Sequence, residues 1–189
     1  MKTAPEVLQA LEEKFPGTIS KSDVAVPNPF AYVSADAVAD ICLFLKEDPN
    51  LAFDSLMCLS GVDFKGVKGE EDRLEVVYHL FSMQHRHCFV VKVALPREGP
   101  SVPTVEKVWA IANWHEREAY DMFGIQFRGH SDFRRILCPD DWEGFPLRKD
   151  YEQPETYLGM PVRPTTQIVE MAEQGQQVGT DPFRRFREE

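Results

Sequence analysis

The fold is decided by residues 74–95, which read LEVVYHLFSMQHRHCFVVKVAL. Apolar side chains occupy every second position over residues 74–80 and again over residues 89–95. This alternation is typical of β-strands that bury one face, and the mostly polar residues 82–87 between the two runs indicate a hairpin. Residues 74–95 therefore predict two neighbouring antiparallel strands.

Helices are predicted on both sides of this hairpin in the sequence. Thr3 and Glu6 have the spacing of a capping box, which indicates the start of a first helix. Ser34 is expected to cap a second helix and Thr104 a third, which runs to about Phe123. The other segments are expected to be short strands at residues 19–26, 31–33 and 59–64 and a loop at residues 96–103. This order predicts an α+β fold with two layers, in which a mostly antiparallel or mixed sheet carries helices on one side.

The composition excludes several classes of function. The chain has 189 residues with 21 Lys and Arg against 31 Asp and Glu, a formal net charge of −10. This balance argues against a nucleic acid partner, because phosphate binding needs concentrated positive charge. No apolar run reaches the length of a membrane span, and the first residues lack the apolar core of a signal peptide. The four cysteines form no Cys-x-x-Cys pair, so the spacing of a zinc ribbon, a thioredoxin-like site or a ferredoxin-type cluster is absent.

Three regions are predicted from shifts in composition. Residues 1–125 form an α/β core domain. Residues 126–151 mix charges of both signs with aromatic residues, Gly and Pro, which indicates an interface segment because aromatic and Arg side chains dominate protein interfaces. Residues 152–189 hold four prolines and one plausible short helix at residues 166–174. They predict an extended C-terminal arm that docks on partner subunits.

The third helix carries the first set of candidate functional residues. Glu116 lies on its apolar stripe, where an ionised carboxylate is costly unless it is paired and hydrogen-bonded. One-turn spacing would place Glu118 beside Asp121, and such a pair could act in general acid–base chemistry. We favour a structural set of ion pairs instead, because no nucleophile or metal-ligand motif lies nearby. The cations of this set would be Arg128, Arg134 and Arg135.

Histidines of the central hairpin are a second candidate site. His85 and His87 share a face, with His79 on the facing strand and Cys88 adjacent. Neutral imidazoles two residues apart on a strand can both bind a metal ion, although a His-x-His sequence in a hairpin is more often a polar loop. The Gly-x-Gly-x-x-Gly and P-loop patterns of nucleotide-binding proteins are absent from the sequence.

Two motifs carry a resemblance to a known family. The first consists of Glu116-Arg117-Glu118, Asp121-Met122-Phe123, His130, Arg134 and Ile136-Leu137. The second is the block at residues 139–151, which reads PDDWEGFPLRKDY. In order and spacing, both resemble the family of C-type NADH-quinone oxidoreductase subunits, the 30-kDa subunit of respiratory complex I. The residues that we identify as the family signature are Glu116, Arg117, Glu118, Asp121, His130, Arg134 and Arg135.

The resemblance implies an assembly subunit of a proton-pumping NADH:quinone oxidoreductase. Members are soluble subunits of the peripheral arm that bind no cofactor, so no catalytic, cofactor-binding or metal-binding residue is expected here. Flavin and iron–sulfur clusters are expected in partner subunits. The expected partners are the D-type (49-kDa-like) subunit, which the chain would clamp, and the cluster-bearing B-type and I-type subunits. The resemblance also implies a peripheral location on the cytoplasmic side of the bacterial inner membrane, with membrane association only through the complex. The expected partner contacts are Trp142, Arg148, Lys149, Asp150 and Tyr151.

Other interpretations of the sequence stay open. The same family supplies subunits to relatives of complex I, including membrane-bound group 4 hydrogenases and deazaflavin-dependent dehydrogenases, so the chain could be the equivalent subunit of one of these. A more distant alternative is a stand-alone metalloprotein that uses His79, His85 and His87. A third is an adaptor outside bioenergetics. The partner that the chain binds would distinguish these alternatives.

Overall fold

The centre of the protein is a five-stranded mixed sheet, seen in a computed structural model that describes residues 2–154 and 156–161. Its strands are β1 (Ile19–Asp23), β2 (Phe30–Val33), β3 (Ser55–Asp63), β4 (Leu74–Ser82) and β5 (His87–Leu95). They lie in the order β1-β2-β5-β4-β3. All neighbouring pairs are antiparallel except β2 and β5, which are parallel. The sheet confirms the predicted α+β class.

The central hairpin follows the alternation in the sequence. β4 and β5 pair from Leu74 opposite Leu95 to Ser82 opposite His87. Every second side chain of each strand is therefore on the same face of the sheet, where it is almost fully buried. The buried side chains of this face are Leu74, Val76, Tyr78 and Leu80 on β4 and Phe89, Val91, Val93 and Leu95 on β5.

Three helices cover this face, as the sequence predicted. They are α1 (Ala4–Lys14), α2 (Val38–Glu47) and α3 (Ala112–Phe123), and their apolar stripes join the sheet in one core. The side chains that they contribute to the core include Val7, Leu11, Ile41, Leu45, Ala112 and Ala119. The predicted capping box of α1 is present, because the Thr3 N–H donates to the Glu6 carboxylate at 2.6 Å. Residues of the 3-10 turn Ala35–Ala37 precede α2.

The prediction that α3 begins at Thr104 is wrong. Residues 104–111 form turns, in which the N–H groups of Val108 and Trp109 both donate to the carbonyl oxygen of Val105. Val105, Val108 and Trp109 have helical spacing and buried side chains, which explains the error. The structure diverges because the Trp109 indole donates to the carbonyl oxygen of Phe53 at 3.1 Å, which holds this segment against the chain before β3.

A second, two-stranded sheet places residues 126–128 beside the start of the turn segment 104–111. β6 (Ser101–Pro103) pairs in parallel with β7 (Gln126–Arg128). The sequence predicted only a loop at residues 96–103, because three residues carry too little alternation to identify a strand. The pairing places the residues that follow β7 beside those that follow β6.

The chain divides into two compact units, residues 1–151 and 152–189. Residues 126–151 thus belong to the same unit as the sheet and helices. The described part of the second unit is a hairpin of β8 (Thr156–Tyr157) and β9 (Met160–Pro161). The helix expected at residues 166–174 and most of the expected arm lie outside the described residues. In the part that the structure describes, no helix is both long and apolar enough to cross a membrane.

Candidate functional site

The C-terminal end of α3 buries a carboxylate, that of Asp121, which is bound by four donors. Oδ1 accepts a hydrogen bond from the Arg135 guanidinium at 2.7 Å. Oδ2 accepts the backbone N–H groups of Ile136, Leu137 and Cys138 at 3.0, 2.7 and 2.9 Å. The carboxylate thereby fixes residues 135–138 against the end of the helix.

The surroundings of Asp121 favour its ionised form. Burial alone would raise the pKa of this carboxyl, but the backbone N–H groups of Cys138 and Leu137, with the Arg135 guanidinium, outweigh burial and hold the pKa below its ordinary value. Arg135 also donates to the carbonyl oxygens of Asp121 and Gly144, so one guanidinium joins two stretches of the downstream segment to the helix. We call this set of bonds, in which an ionised carboxylate holds residues 135–138 against α3, the charged tie.

Glu116, one turn and a half earlier on α3, is equally buried but has only neutral donors. Its Oε2 accepts from the Thr104 hydroxyl at 2.5 Å, and its Oε1 accepts from the Val105 N–H at 2.7 Å. The His130 ring nitrogen Nε2 lies 3.9 Å from Oε2. Burial raises the pKa of Glu116 to about 7, although the two hydrogen bonds oppose the rise. Glu116 therefore holds the turn segment in place while it takes up a proton near neutral pH.

The buried His130 ring has a tautomer defined by its hydrogen bonds. Its Nδ1 accepts the Asp132 N–H at 3.1 Å, so the ring proton is on Nε2, which donates to the carbonyl oxygen of Asn113 at 3.1 Å. Glu106 accepts the Asn113 side-chain amide and both the N–H and hydroxyl of Ser131. Together, His130 and Glu106 tie the loop after β7 to the first turn of α3.

The other residues of the first motif lie along the same loop. Arg117 is buried, and its Nε donates to the carbonyl oxygen of Arg134 at 3.2 Å. Glu118 is exposed whereas Asp121 is fully buried, so the structure does not bring the two carboxylates together as an acid–base pair. Each arginine expected in an ion-pair set has a different partner: Arg135 pairs with Asp121, Arg134 with Asp132 and Arg128 with Asp36.

The second motif folds back onto the last turn of α3. The Leu147 N–H donates to the carbonyl oxygen of Met122 at 3.1 Å, and Arg148 Nε donates to that of Phe123 at 2.7 Å. These bonds satisfy carbonyl groups that a helix end leaves without partners. The guanidinium of Arg148 also stacks on the Phe145 ring, 4.9 Å from its centroid.

A third buried carboxylate, Asp63 at the end of β3, anchors the end of this motif. It accepts the N–H groups of Lys65 and Lys149, each at 2.9 Å, and pairs with the Arg97 guanidinium. Arg97 in turn binds Asp150 at 2.7 Å. Sequence reasoning missed Asp63 and Arg97. The available signal was the alternation of β3, which continues through Gly61 and places Asp63 on the buried face.

The five residues predicted to contact partners all belong to this folded-back segment. Trp142 donates its indole N–H to the Tyr151 hydroxyl at 3.0 Å, while Arg148, Lys149 and Asp150 make the contacts given above. These bonds lie within the chain. The role of the five residues as partner contacts stays a prediction.

The three hairpin histidines do not share one site, although the ring centroids of His85 and His87 lie 5.7 Å apart. His85 and His87 each point a ring nitrogen at a backbone carbonyl, that of Pro49 at 2.9 Å and that of Leu51 at 2.8 Å. His79 pairs with Val90 in the register of β4 and β5, which puts it on the sheet face opposite His87. Over residues 2–154 and 156–161, no group of three or more His, Cys, Asp or Glu side chains is arranged to hold a metal ion.

Comparisons with known proteins match the region that contains these motifs. The family model described as "Respiratory-chain NADH dehydrogenase, 30 Kd subunit" matches residues 31–157. The C-type NADH-quinone oxidoreductase subunit of Chlorobium phaeobacteroides is 48% identical over 164 residues, which cover 86% of this chain and 96% of that protein. The C-type F(420)H(2) dehydrogenase subunit of Methanosarcina mazei is 40% identical over 151 residues, which cover 79% of this chain and 92% of that protein. The solved structure of a trypsin-resistant fragment of Nqo5 superposes with a TM-score of 0.60 at 29% identity, covering 69% of this chain and 99% of the fragment.

Proposed function

The chain belongs to the 30-kDa subunit family of respiratory-chain NADH dehydrogenases, and from this we propose that it is a non-catalytic subunit of the peripheral arm of a proton-pumping NADH:quinone oxidoreductase. It clamps the D-type subunit beside the cluster-bearing B-type and I-type subunits. Flavin and iron–sulfur clusters reside in those partners and in the NADH-oxidising part of the complex. The complex holds the chain on the cytoplasmic side of the bacterial inner membrane.

The observation that carries this proposal is the burial of three ionisable residues of the family motif. The side chains of Glu116, Asp121 and His130 are fully buried, and each one ties a neighbouring segment to α3. A catalytic group has to touch substrate or cofactor, whereas these groups touch the backbone and side chains of their own chain. Their chemistry supports a structural role.

The buried ties give the proposed clamp its rigidity. Asp121 fixes residues 135–138, and Asp63 fixes the backbone at Lys149, so residues 135–149 are held at both ends against the core. A surface that is already ordered loses less conformational entropy when it binds. Such a segment suits permanent docking on a partner subunit.

A second candidate is the equivalent subunit of a related complex with another electron donor. The F(420)H(2) dehydrogenase subunit is 40% identical to this chain, close to the 48% of the NADH-quinone oxidoreductase subunit. A subunit of the proposed kind does not touch the electron donor, so its own residues do not select between donors. The partners decide between the two candidates.

The test is affinity purification of the tagged full-length chain from gently solubilised native membranes, followed by mass spectrometry of the associated proteins. We expect D-type and B-type subunits together with flavin-containing, NADH-oxidising partners. Deazaflavin-dependent or hydrogenase partners would establish the second candidate. Recovery of the chain alone, from the soluble fraction, would reject both. Metal analysis of the same preparation tests the metalloprotein alternative, which needs a stoichiometric metal ion in the isolated chain.

A further inference from the structure

The outward face of residues 137–147 consists of residues that are not among the five predicted partner contacts. Arg135 and Arg148 turn their guanidinium groups inward, to Asp121 and to the carbonyl oxygen of Phe123. The exposed residues of this stretch include acidic and apolar side chains. They are Leu137, Asp140, Asp141, Glu143 and Leu147, and we call them the acidic face.

The loop that carries the acidic face is held at both of its ends by the C-terminal end of α3. The Leu137 N–H donates to the Asp121 carboxylate, and the Leu147 N–H donates to the carbonyl oxygen of the next residue, Met122. Arg135 closes the loop between them, since it binds Asp121 and the carbonyl oxygen of Gly144. The stretch between the two leucines is therefore a loop fixed at its base.

Two large apolar side chains of this loop are exposed. Leu137 is 62% exposed and Leu147 is 54% exposed, although their backbones are hydrogen-bonded to α3. A single exposed leucine is ordinary, but two on one fixed loop offer apolar area of the kind that interfaces bury.

The charges around these leucines are mostly negative. Asp140, Asp141 and Glu143 are exposed, and within residues 2–154 neither Asp140 nor Glu143 forms an ion pair. Lys149 is the exposed cation of the motif, and Asp150 beside it is already paired with Arg97. A complementary surface therefore presents Lys or Arg side chains around an apolar depression.

We propose that the acidic face docks on a basic surface with an apolar centre on a neighbouring subunit of the complex, with Leu137 and Leu147 as the buried anchors and Asp140 and Glu143 as the complementary charges. The inference rests on the proposed function, which requires such a neighbour. It assigns the docking to residues other than the five predicted from the sequence motif. Charge complementarity is the argument for this occupant, because an anionic membrane or nucleic acid would be repelled by the same face.

The experiment measures how much of the tagged chain stays on the detergent-solubilised complex as the salt concentration rises. The charge variant is Asp140→Asn with Glu143→Gln, and the apolar variant is Leu137→Ser with Leu147→Ser. The matched control is Glu12→Gln with Glu71→Gln, which removes the same charge from exposed positions elsewhere. We expect the charge variant to be retained several-fold less than wild type at low salt. We also expect its retention to depend less on salt concentration than the retention of wild type does. We expect the apolar variant to reduce retention at every salt concentration and the control to behave as wild type.

Any one of four results would overturn the proposal. Unchanged retention of both variants would do so, and so would equal losses in the control. A loss confined to the apolar variant would reject the basic partner surface. Chemical unfolding of each isolated full-length variant completes the test, because a destabilised isolated chain would mean that the face is covered from within the chain. Wild-type chain that fails to co-purify with any complex would reject the proposed function itself, whereas wild type that co-purifies alongside fully retained variants rejects only the docking face.

Discussion

The two halves of α3 each carry one fully buried carboxyl group, and the pKa values of these two groups shift in opposite directions. Near the N-terminal end, Glu116 accepts one hydroxyl and one backbone N–H, and its pKa rises to about 7. At the C-terminal end, Asp121 accepts a guanidinium and three backbone N–H groups, and its pKa falls below the ordinary value. Both side chains lie on one helix of 12 residues.

Neither side chain is accessible to solvent, but Glu116 lies deeper in the protein and has fewer donors than Asp121. Burial disfavours the charged form of any carboxyl group, whereas hydrogen bonds to the carboxylate and a nearby cation oppose that effect. The C-terminal end has both, so it holds the downstream segment through a charge. The N-terminal end has two neutral donors, so its tie is compatible with a proton on Glu116. Five predictions test this contrast between the charged tie at Asp121 and the protonated one at Glu116.

The largest effect is expected from removal of the charged tie. Asp121→Ala leaves the Arg135 guanidinium and three N–H groups without their acceptor, and we expect the free energy of unfolding at pH 7 to fall by about 3–5 kcal/mol. Chemical denaturation of the isolated chain measures it. Asp132→Ala is the control, because that carboxylate is 48% exposed on the same loop, and its removal should change stability by less than about 1 kcal/mol. Equal losses in both variants would contradict the special role of Asp121.

The pH dependence of the charged tie has a definite sign. The pKa of Asp121 is lowered in the folded chain from 3.8, so its contribution to stability is fully present above that value. The contribution is lost as the pH falls through the folded pKa. Wild type should therefore lose stability in acid faster than Asp121→Ala does.

The protonated tie, formed by Glu116 with Thr104 and Val105, should give stability the opposite dependence on pH. Because the pKa of Glu116 rises from 4.5 to about 7 on folding, the folded chain binds this proton more tightly than the unfolded chain. Stability then falls as the pH rises from 4.5 to 7, by about 3 kcal/mol at about 1.4 kcal/mol per unit of pKa. Glu116→Gln keeps a neutral amide in the same place, so this decline should disappear. Unfolding free energies of both proteins at four pH values from 5 to 8 measure the difference, and parallel profiles would refute the raised pKa.

Part of this contrast could be predicted from the sequence. The apolar stripe of α3 already placed Glu116 on the buried side, and the nearby arginines already suggested an ion-pair set. The sequence did not show which arginine would pair with which acid, because that depends on how the chain returns after β7. It also did not show that backbone N–H groups would be the main donors to Asp121, since backbone positions leave no mark in the residue types.

The fold was predictable where the periodicity was long. β4 and β5 have nine residues each, and their alternation identified the hairpin and its buried face. The start of α3 was missed because Val105, Val108 and Trp109 mimic one more helical turn. Asp63 and Arg97 were missed because they are 34 positions apart and meet only through the sheet.

A fourth prediction tests how closely the downstream segment packs against the C-terminal end of α3. Gly124 follows α3 with a φ of +72°, and a Cβ built on it would lie 2.5 Å from the Phe145 ring. Gly17, which follows α1 with a φ of +77°, has nothing within 4 Å of such a Cβ. Both alanine variants strain the backbone equally, so Gly124→Ala should be less stable than Gly17→Ala by roughly 1–3 kcal/mol, the usual cost of overpacking. Thermal or chemical unfolding of the pair measures it, and equal stabilities would mean that Phe145 moves aside freely.

The smallest expected effect separates two adjacent arginines. Arg134 is 69% exposed and pairs with Asp132, whereas Arg135 is 11% exposed and binds the buried Asp121. Exposed ion pairs contribute about 0–1 kcal/mol, so Arg134→Ala should leave the free energy of unfolding within about 0.5 kcal/mol of wild type. Arg135→Ala should cost several-fold more, because it leaves a buried carboxylate without its cation. Denaturant titration of the two variants at pH 7 decides between these outcomes. If Arg134→Ala proved as damaging as Arg135→Ala, the set of bonds that holds this end of α3 would extend into the exposed loop, and the contrast between the two ends would no longer rest on the buried donors to Asp121 alone.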